Sequence, residues 1–130
     1  IKTANKNKKS LGCKNVEFFN QDIFMYNQTK ADLILCNPPY LANHEIQNLE
    51  QSIKQNEPMS ALTDFQNGIS FYKYLISNFN NLIKTNGIML LEIPFSSVTE
   101  DIISIKENFN SNKSVLYKDL EGKNRVIKIY

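Results

Sequence analysis

The sequence predicts an α/β fold with a parallel core and an antiparallel C-terminal edge, on three observations. Two compact apolar runs, Ala31–Cys36 and residues 88–93, have the length and continuity of strands covered on both faces. Between them Tyr72, Leu75, Ile76, Phe79, Leu82 and Ile83 recur at i, i+3, i+4 and i+7, the stripe of an amphipathic helix. Strand, crossover helix and strand make a parallel pair. Near the end, residues 114–118 and 125–130 flank Glu121-Gly122 in the pattern of a hairpin, which adds antiparallel strands to the sheet.

Each element has a local reason. Residues 1–10 are polar and read as the end of a helix closed by Gly12, because glycine adopts the left-handed C-cap conformation without steric cost. Residues 16–19, Val-Glu-Phe-Phe, form a short strand candidate that ends at Gln21-Asp22. The run Ala31–Cys36 must stop at Pro38-Pro39, since neither proline has a backbone N–H for a sheet. From Leu41 to Asp64 the pattern is irregular and polar, a long excursion of the kind that carries function. The helix that follows runs to Asn86-Gly87, and the second strand is broken by Pro94. Ser96 or Ser97 is placed to cap a further helix with Val98, Ile102, Ile105 and Phe109 on one face.

Bulk properties narrow the function. A length of 130 residues with 42% apolar and 22% charged content suits one globular domain and excludes wholesale disorder. The longest apolar runs are four or five residues, too short for a membrane-spanning helix. A net charge of +2 is too weak to indicate nucleic-acid binding, and Lys6, Lys8 and Lys9 read as a solvated face. Cys13 and Cys36 read as free thiols of a cytoplasmic protein, and His44, the single histidine, leaves no zinc cluster. The chain opens on Ile1 and a polar stretch, neither a Met start nor a signal peptide, so it reads as part of something longer.

Asn37-Pro38-Pro39-Tyr40 is the sharpest chemical feature. It follows a buried strand, and in open α/β sheets ligands bind beyond the carboxyl ends of the strands. The two prolines leave carbonyl acceptors without N–H donors, the Asn37 side chain adds another acceptor, and Tyr40 offers an aromatic face. Such an edge can accept both hydrogens of a planar NH2. Carbonyl oxygens aimed at those N–H bonds favour the positive charge that grows when a poorly nucleophilic nitrogen attacks a methyl sulfonium. The bland alternative is a rigid turn.

These residues carry a family resemblance. Asp32-Leu-Ile-Leu-Cys-Asn-Pro-Pro-Tyr40 resembles the strand and tetrad of class I, S-adenosylmethionine-dependent amino-methyltransferases. Glu57-Pro58, Ala61-Leu62, Gly68-Ile69 and Tyr72 resemble a second motif, that of the HemK/PrmC family of protein-glutamine N5-methyltransferases. Asp119, Gly122 and Arg125 resemble that family's closing hairpin. The resemblance implies methylation of the glutamine side chain in the Gly-Gly-Gln motif of peptide-chain release factors, with S-adenosyl-L-methionine as cofactor and a release factor as partner. It implies neither a membrane nor direct nucleic-acid binding. Adenine-N6 methyltransferases of DNA or RNA share the tetrad and are the alternative, as is an inactive fragment.

The roles follow residue by residue. The resemblance makes Asn37 and Pro38 catalytic, holding the substrate amide, with Pro39 and Tyr40 lining the same pocket. It gives Asp22, Ile23 and Asn37 to the cofactor: Asp22 to the adenine amino group and Ile23 to the adenine ring. By itself, Asp22 is a turn or cap residue. Glu57 reads equally as an anchor of the long loop or as a structural acid. Glu92 matches a family strand whose following Gly and downstream Gln are here Pro94 and Ser97, which leaves its role open. Asp119 and Arg125 read as a hairpin ion pair or fold anchors. The glycines are Gly12, Gly68, Gly87 and Gly122, too scattered for the family's Gly-rich cofactor turn. Residues 1–130 thus read as a partial catalytic domain, the substrate-binding half and C-terminal part of a Rossmann-like sheet, with the family's first two strands absent. The expected sheet order is strand 31–36, strand 88–93, strand 125–130, strand 114–118, with an apolar edge exposed and the first 30 residues loosely placed or repositioned.

Overall fold

The computed structural model describes residues 1–26, 29–96, 98–109 and 113–130; Ser97, one of the two cap candidates, and the side chain of Phe109 lie outside the described residues. Among them the elements are α1 (Lys2–Ser10), β1 (Ala31–Cys36), α2 (Gln51–Asn56), α3 (Met59–Leu62), α4 (Ser70–Ser77) and α5 (Phe79–Leu82). These are followed by β2 (Ile83–Glu92), α6 (Val98–Phe109), β3 (Ser114–Lys118) and β4 (Asn124–Ile129). Short 3-10 turns occupy Ile23–Met25 and Asn43–Asn48.

The sheet has the order β1-β2-β4-β3. The β1–β2 pair is parallel, with Cys36 opposite Leu91, and β2–β4 and β3–β4 are antiparallel. This is the expected fold class and strand order, and it rests on the periodicities. Met89, Leu91, Ile93, Ile127 and Ile129 alternate onto one face and are buried there against Tyr72, Leu75 and Ile76 of α4 and Ile102 and Ile105 of α6. The opposite face carries Leu33 and Leu35 of β1, at 50% and 68% exposure, and Val115 and Tyr117 of β3, both exposed. An apolar sheet edge is therefore exposed, as expected.

Four local expectations are corrected. Residues 16–19 form no strand: Phe18 and Phe19 are exposed, and a strand needs a neighbour to take its hydrogen bonds, which this segment lacks among the described residues. The single helix expected through Ile83 is two, because Asn78 leaves helical geometry at φ −99°, ψ 13° and turns its backbone into the cap of α5. The second strand starts at Ile83 rather than residue 88, then bulges through residues 84–87 before pairing resumes at Leu33–Ile88. Asn86 sits at φ 67° in that bulge instead of ending a helix. Of the two cap candidates for α6, Ser97 lies outside the described residues, and the Ser96 hydroxyl is buried without a partner while Thr99 accepts from the Ser96 N–H at 3.3 Å.

Two local expectations hold, the helix end at Gly12 and the hairpin turn near Glu121-Gly122. Helix α1 ends in the left-handed Gly12 at φ 65°, with the Cys13 N–H donating to the Lys8 carbonyl and that of Gly12 to Lys9. The hairpin turn is tied by Asp119, whose carboxylate accepts from the Glu121 and Lys123 N–H groups and pairs with Arg125 at 3.0 Å. No helix among the described residues is long and apolar enough to cross a membrane, and no group of three or more His, Cys, Asp or Glu among them suits a metal ion.

Candidate active site

The tetrad lies just past the last residue of β1, at the carboxyl edge of the sheet. Pro38 is buried, Pro39 and Tyr40 are partly buried, and Asn37 is exposed. Asn37, Pro38 and Tyr40 line a cavity of about 130 Å³ that Leu41, Ala61 and Leu62 complete. No hydrogen bond among the described residues reaches the Pro38 carbonyl or the Asn37 side chain. Pro38 is buried, and a carbonyl is rarely left unpaired when out of water, whereas the Asn37 side chain is open to solvent. A larger cavity of about 590 Å³, lined by Lys30, Lys84 and Lys128 among others, lies at the other end of the strands and contains none of the tetrad.

What holds the tetrad is the stretch downstream. With no donors on Pro38 and Pro39, the chain is fixed through the N–H groups of Leu41, Ala42 and Asn43. Leu41 donates to the Leu62 carbonyl at 2.9 Å, Ala42 to a Glu45 carboxylate oxygen at 2.8 Å, and Asn43 to the Gln66 carbonyl at 2.9 Å. The Asn43 side chain adds a bond to the Phe65 carbonyl at 2.7 Å. Gly68 completes the contact: at φ 80° its Cα faces the Tyr40 carbonyl so closely that a Cβ would lie 2.2 Å from the oxygen.

The loop supplying these contacts is organised by Asp64. One carboxylate oxygen accepts from the Gln66 and Gly68 N–H groups and the other from Ser70. Partial burial works to raise the Asp64 pKa, but the hydrogen bonds from Ser70, Gln66 and Gly68 outweigh it and hold the carboxyl below its ordinary value. Thr63 takes the Phe65 N–H at 3.0 Å, which helps to hold Phe65 at φ 59°.

Beneath the tetrad, Tyr72 is fully buried and donates to the Glu92 carbonyl at 2.7 Å. Burial, then the neighbouring Cys36, Tyr40 and Glu92, push its phenol far above its ordinary pKa, so it remains a neutral donor. Burial likewise raises the Cys36 thiol. Tyr72 thereby ties α4 to the carboxyl end of β2.

The remaining candidates lie elsewhere. The Asp22 carboxylate accepts from the Phe24 N–H at 3.0 Å and caps the 3-10 turn, and Ile23 packs against the main core. Phe24 anchors that segment on α4, with ring centroids 4.9 Å from Phe71 and 5.0 Å from Tyr74. Neither Asp22 nor Ile23 lines the cavity at the tetrad. Glu57 is exposed at the end of α2 and its side chain has no hydrogen bond among the described residues. Asp64 and Gly68 emerge as the residues that shape the site. The signal for Asp64 in the sequence is an Asp shortly before Gln66-Asn67-Gly68 and a helix, a recognisable turn pattern.

No family model matches the chain. Individual relatives do. It is 33% identical over 129 residues to the release factor glutamine methyltransferase of Fusobacterium nucleatum, covering 98% of this chain and 36% of that protein. It is 31% identical over 130 residues to the Bacillus subtilis enzyme of that name, covering 98% of this chain and 45% of the relative. The Thermodesulfovibrio yellowstonii namesake is 34% identical over 131 residues, covering 98% and 46%. Over 98% of its length the chain is similar to release factor glutamine methyltransferases. It spans less than half the length of these relatives. Bifunctional methyltransferases of Rickettsia also match, one at 38% identity over 105 residues. The matched stretch folds as a four-stranded α/β unit with the tetrad at its carboxyl edge.

Proposed function

We propose that the protein carrying this chain transfers a methyl group from S-adenosyl-L-methionine to the side-chain nitrogen of the glutamine in the Gly-Gly-Gln motif of a peptide-chain release factor, in the cytoplasm. Residues 1–130 are then the substrate-binding part of its catalytic domain. The observation that carries this function is the unpartnered Pro38 carbonyl beside the unpartnered Asn37 side chain, at a cavity of about 130 Å³. That space suits an amide side chain and little more. A primary amide has two N–H donors, and the Asn37 carbonyl oxygen and the Pro38 carbonyl are two acceptors.

The amide lone pair is delocalised into its carbonyl, so the nitrogen is a poor nucleophile. Two acceptors drawn onto its N–H bonds favour the geometry and charge of attack, and because they are fixed beforehand they cost no reorganisation. Pro39 and Tyr40 enclose the same group. S-adenosylmethionine supplies the methyl group when bound. The described residues do not by themselves form a cradle for it. Asp22, proposed for the adenine, is engaged in capping, Ile23 is turned to the core, and the cavity at the tetrad is too small for a nucleoside. Their part is therefore assigned on the acceptor side of the reaction.

The test is transfer of labelled methyl from S-adenosylmethionine to a release factor by the full-length protein. Asn37→Ala is expected to reduce turnover by about two orders of magnitude, the scale of one lost preorganised contact. Unchanged turnover in that variant would defeat the role of Asn37. Labelling of DNA or RNA in place of the release factor would replace this function with that of an adenine-N6 methyltransferase.

A further inference from the structure

Asn37 meets a requirement that its own geometry does not satisfy. A side-chain amide has a carbonyl face and an NH2 face of nearly the same shape. To accept from a substrate amide, Asn37 must present oxygen; the reversed orientation presents hydrogens to hydrogens. An acceptor that takes the Asn37 NH2 on the other side would fix that orientation.

Glu92 is the group in position. In the parallel β1–β2 pair Cys36 lies opposite Leu91, so Asn37 and Glu92 are the next residues out along the two adjacent strands. Cys36 and Leu91 turn toward the core, and the alternation of strand side chains sends Asn37 and Glu92 to the other side together. The Glu92 backbone is pinned on three counts. Its carbonyl takes the Tyr72 hydroxyl, it pairs with Val126 of β4, and the Ile93 N–H after it donates to the Arg125 carbonyl at 2.8 Å. Glu92 is half-buried, and its carboxylate has no ion pair or hydrogen bond among the described residues; neither has the Asn37 amide.

The geometry points to Glu92 as a positioning residue, whose carboxylate accepts from the Asn37 NH2 and so fixes the Asn37 oxygen toward the substrate amide. Glu92 touches neither substrate nor cofactor in this arrangement, and it acts only through Asn37. The inference rests on the function proposed above.

The experiment is a double-mutant cycle in the full-length protein with release factor as substrate. Turnover is measured for Asn37→Ala, Glu92→Ala and both together, with Glu92→Gln as the conservative variant. Thermal midpoints, and calorimetric affinity for the release factor without a methyl donor, are taken alongside. Glu92→Ala is expected to lower kcat by roughly tenfold, the effect of losing a charge-assisted hydrogen bond, with the midpoint nearly unchanged. Glu92→Gln keeps an acceptor and should stay within about threefold of the parent. In the double variant the loss should equal that of Asn37→Ala alone, because a residue acting only through Asn37 has nothing further to lose. Losses that multiply, or a Glu92→Ala variant within twofold of the parent, overturn the inference while leaving the methyltransferase function standing. Absence of any transfer by the unmodified protein overturns both.

Discussion

Replacing Gly68 with alanine should separate the grip on the tetrad from ordinary loop stability. A Cβ at this position would lie 2.2 Å from the Tyr40 carbonyl oxygen and 2.9 Å from its carbon. An ordinary C···O contact is roughly 3.3 Å or more, so the two backbones must part by about 1 Å. Neither is free to do so, since the Gly68 N–H is held by Asp64 at 2.9 Å and the Leu41 N–H by Leu62 at 2.9 Å. The left-handed φ of 80° adds its own cost, roughly 1–2 kcal/mol for an alanine. With an overpacking cost of about 1–3 kcal/mol, the total comes to about 3 kcal/mol. At roughly 2 cal/mol/K of unfolding entropy per residue, that lowers the midpoint of a domain this size by about 10 °C. Displacing the acceptors by about 1 Å should also reduce methyl transfer by roughly 100-fold. Gly122 is the control, because it shares a left-handed φ of 82° but has open space around its Cβ position. Gly122→Ala should show the backbone cost alone, a few degrees, with normal turnover. Calorimetry and the methyl-transfer assay read both variants. If Gly68→Ala matches Gly122→Ala in both measurements, the steric lock on Tyr40 does not exist.

Three further outcomes are expected. Tyr72→Phe removes the donor to the Glu92 carbonyl inside the core and should cost about 1–3 kcal/mol, read as a midpoint lowered by several degrees. Asp64 has a folded-state pKa below its ordinary value, so the stability it lends is complete at neutral pH. That stability should fade as pH falls below about 4, the unfolded value, and on through the lower folded one; denaturation midpoints against pH should lose part of this acid limb in Asp64→Asn. Leu35→Lys places a charge on an edge-strand side chain that is already 68% exposed, and should leave the midpoint within about 1 °C while reducing self-association in light scattering.

The sheet was legible because its strands are written as apolar runs and its longest crossover as a helical stripe. The tetrad was legible because Pro-Pro after such a run is chemically unusual. What the residues concealed depended on partners. Residues 16–19 have the composition of a strand, but a strand exists only where a neighbour takes its hydrogen bonds. The apolar stripe from Tyr72 to Ile83 continues across Asn78, so periodicity alone could not show that the backbone breaks there and that Ile83 begins the strand. Asp22, just after residues 16–19, suits a cap as well as a cofactor contact, and the structure shows the capping bond to Phe24. Gly68 carried a visible motif match, yet the reason for a glycine, its approach to Tyr40, appears only in three dimensions.

The spacing of the two motifs follows from the same chemistry that makes the first one useful. A carbonyl-only edge can receive donors only if the protein does not consume its acceptors, and prolines secure this by ending the β ladder at Cys36. The same prolines remove the donors that would fix the edge in place. Rigidity must then come from the N–H groups of Leu41, Ala42 and Asn43, and their partners must lie off the sheet. Leu62 and Gln66 provide two of them, with Asp64 and Gly68 shaping the loop in between. Residues 41–68 are therefore the counterpart of Pro38-Pro39: the prolines empty the edge of donors, and the downstream loop restores its rigidity without occupying the acceptors. A loop variant that keeps its fold but loses these bonds should bind the amide loosely even with every tetrad residue intact, and Asn43→Ala, which removes the bond to the Phe65 carbonyl at 2.7 Å, is the mildest such change. It should lower kcat severalfold with little loss of stability, since the bond is exposed and the Asn43 backbone contact to Gln66 remains. Wild-type turnover in Asn43→Ala would mean that the backbone bonds alone hold the edge.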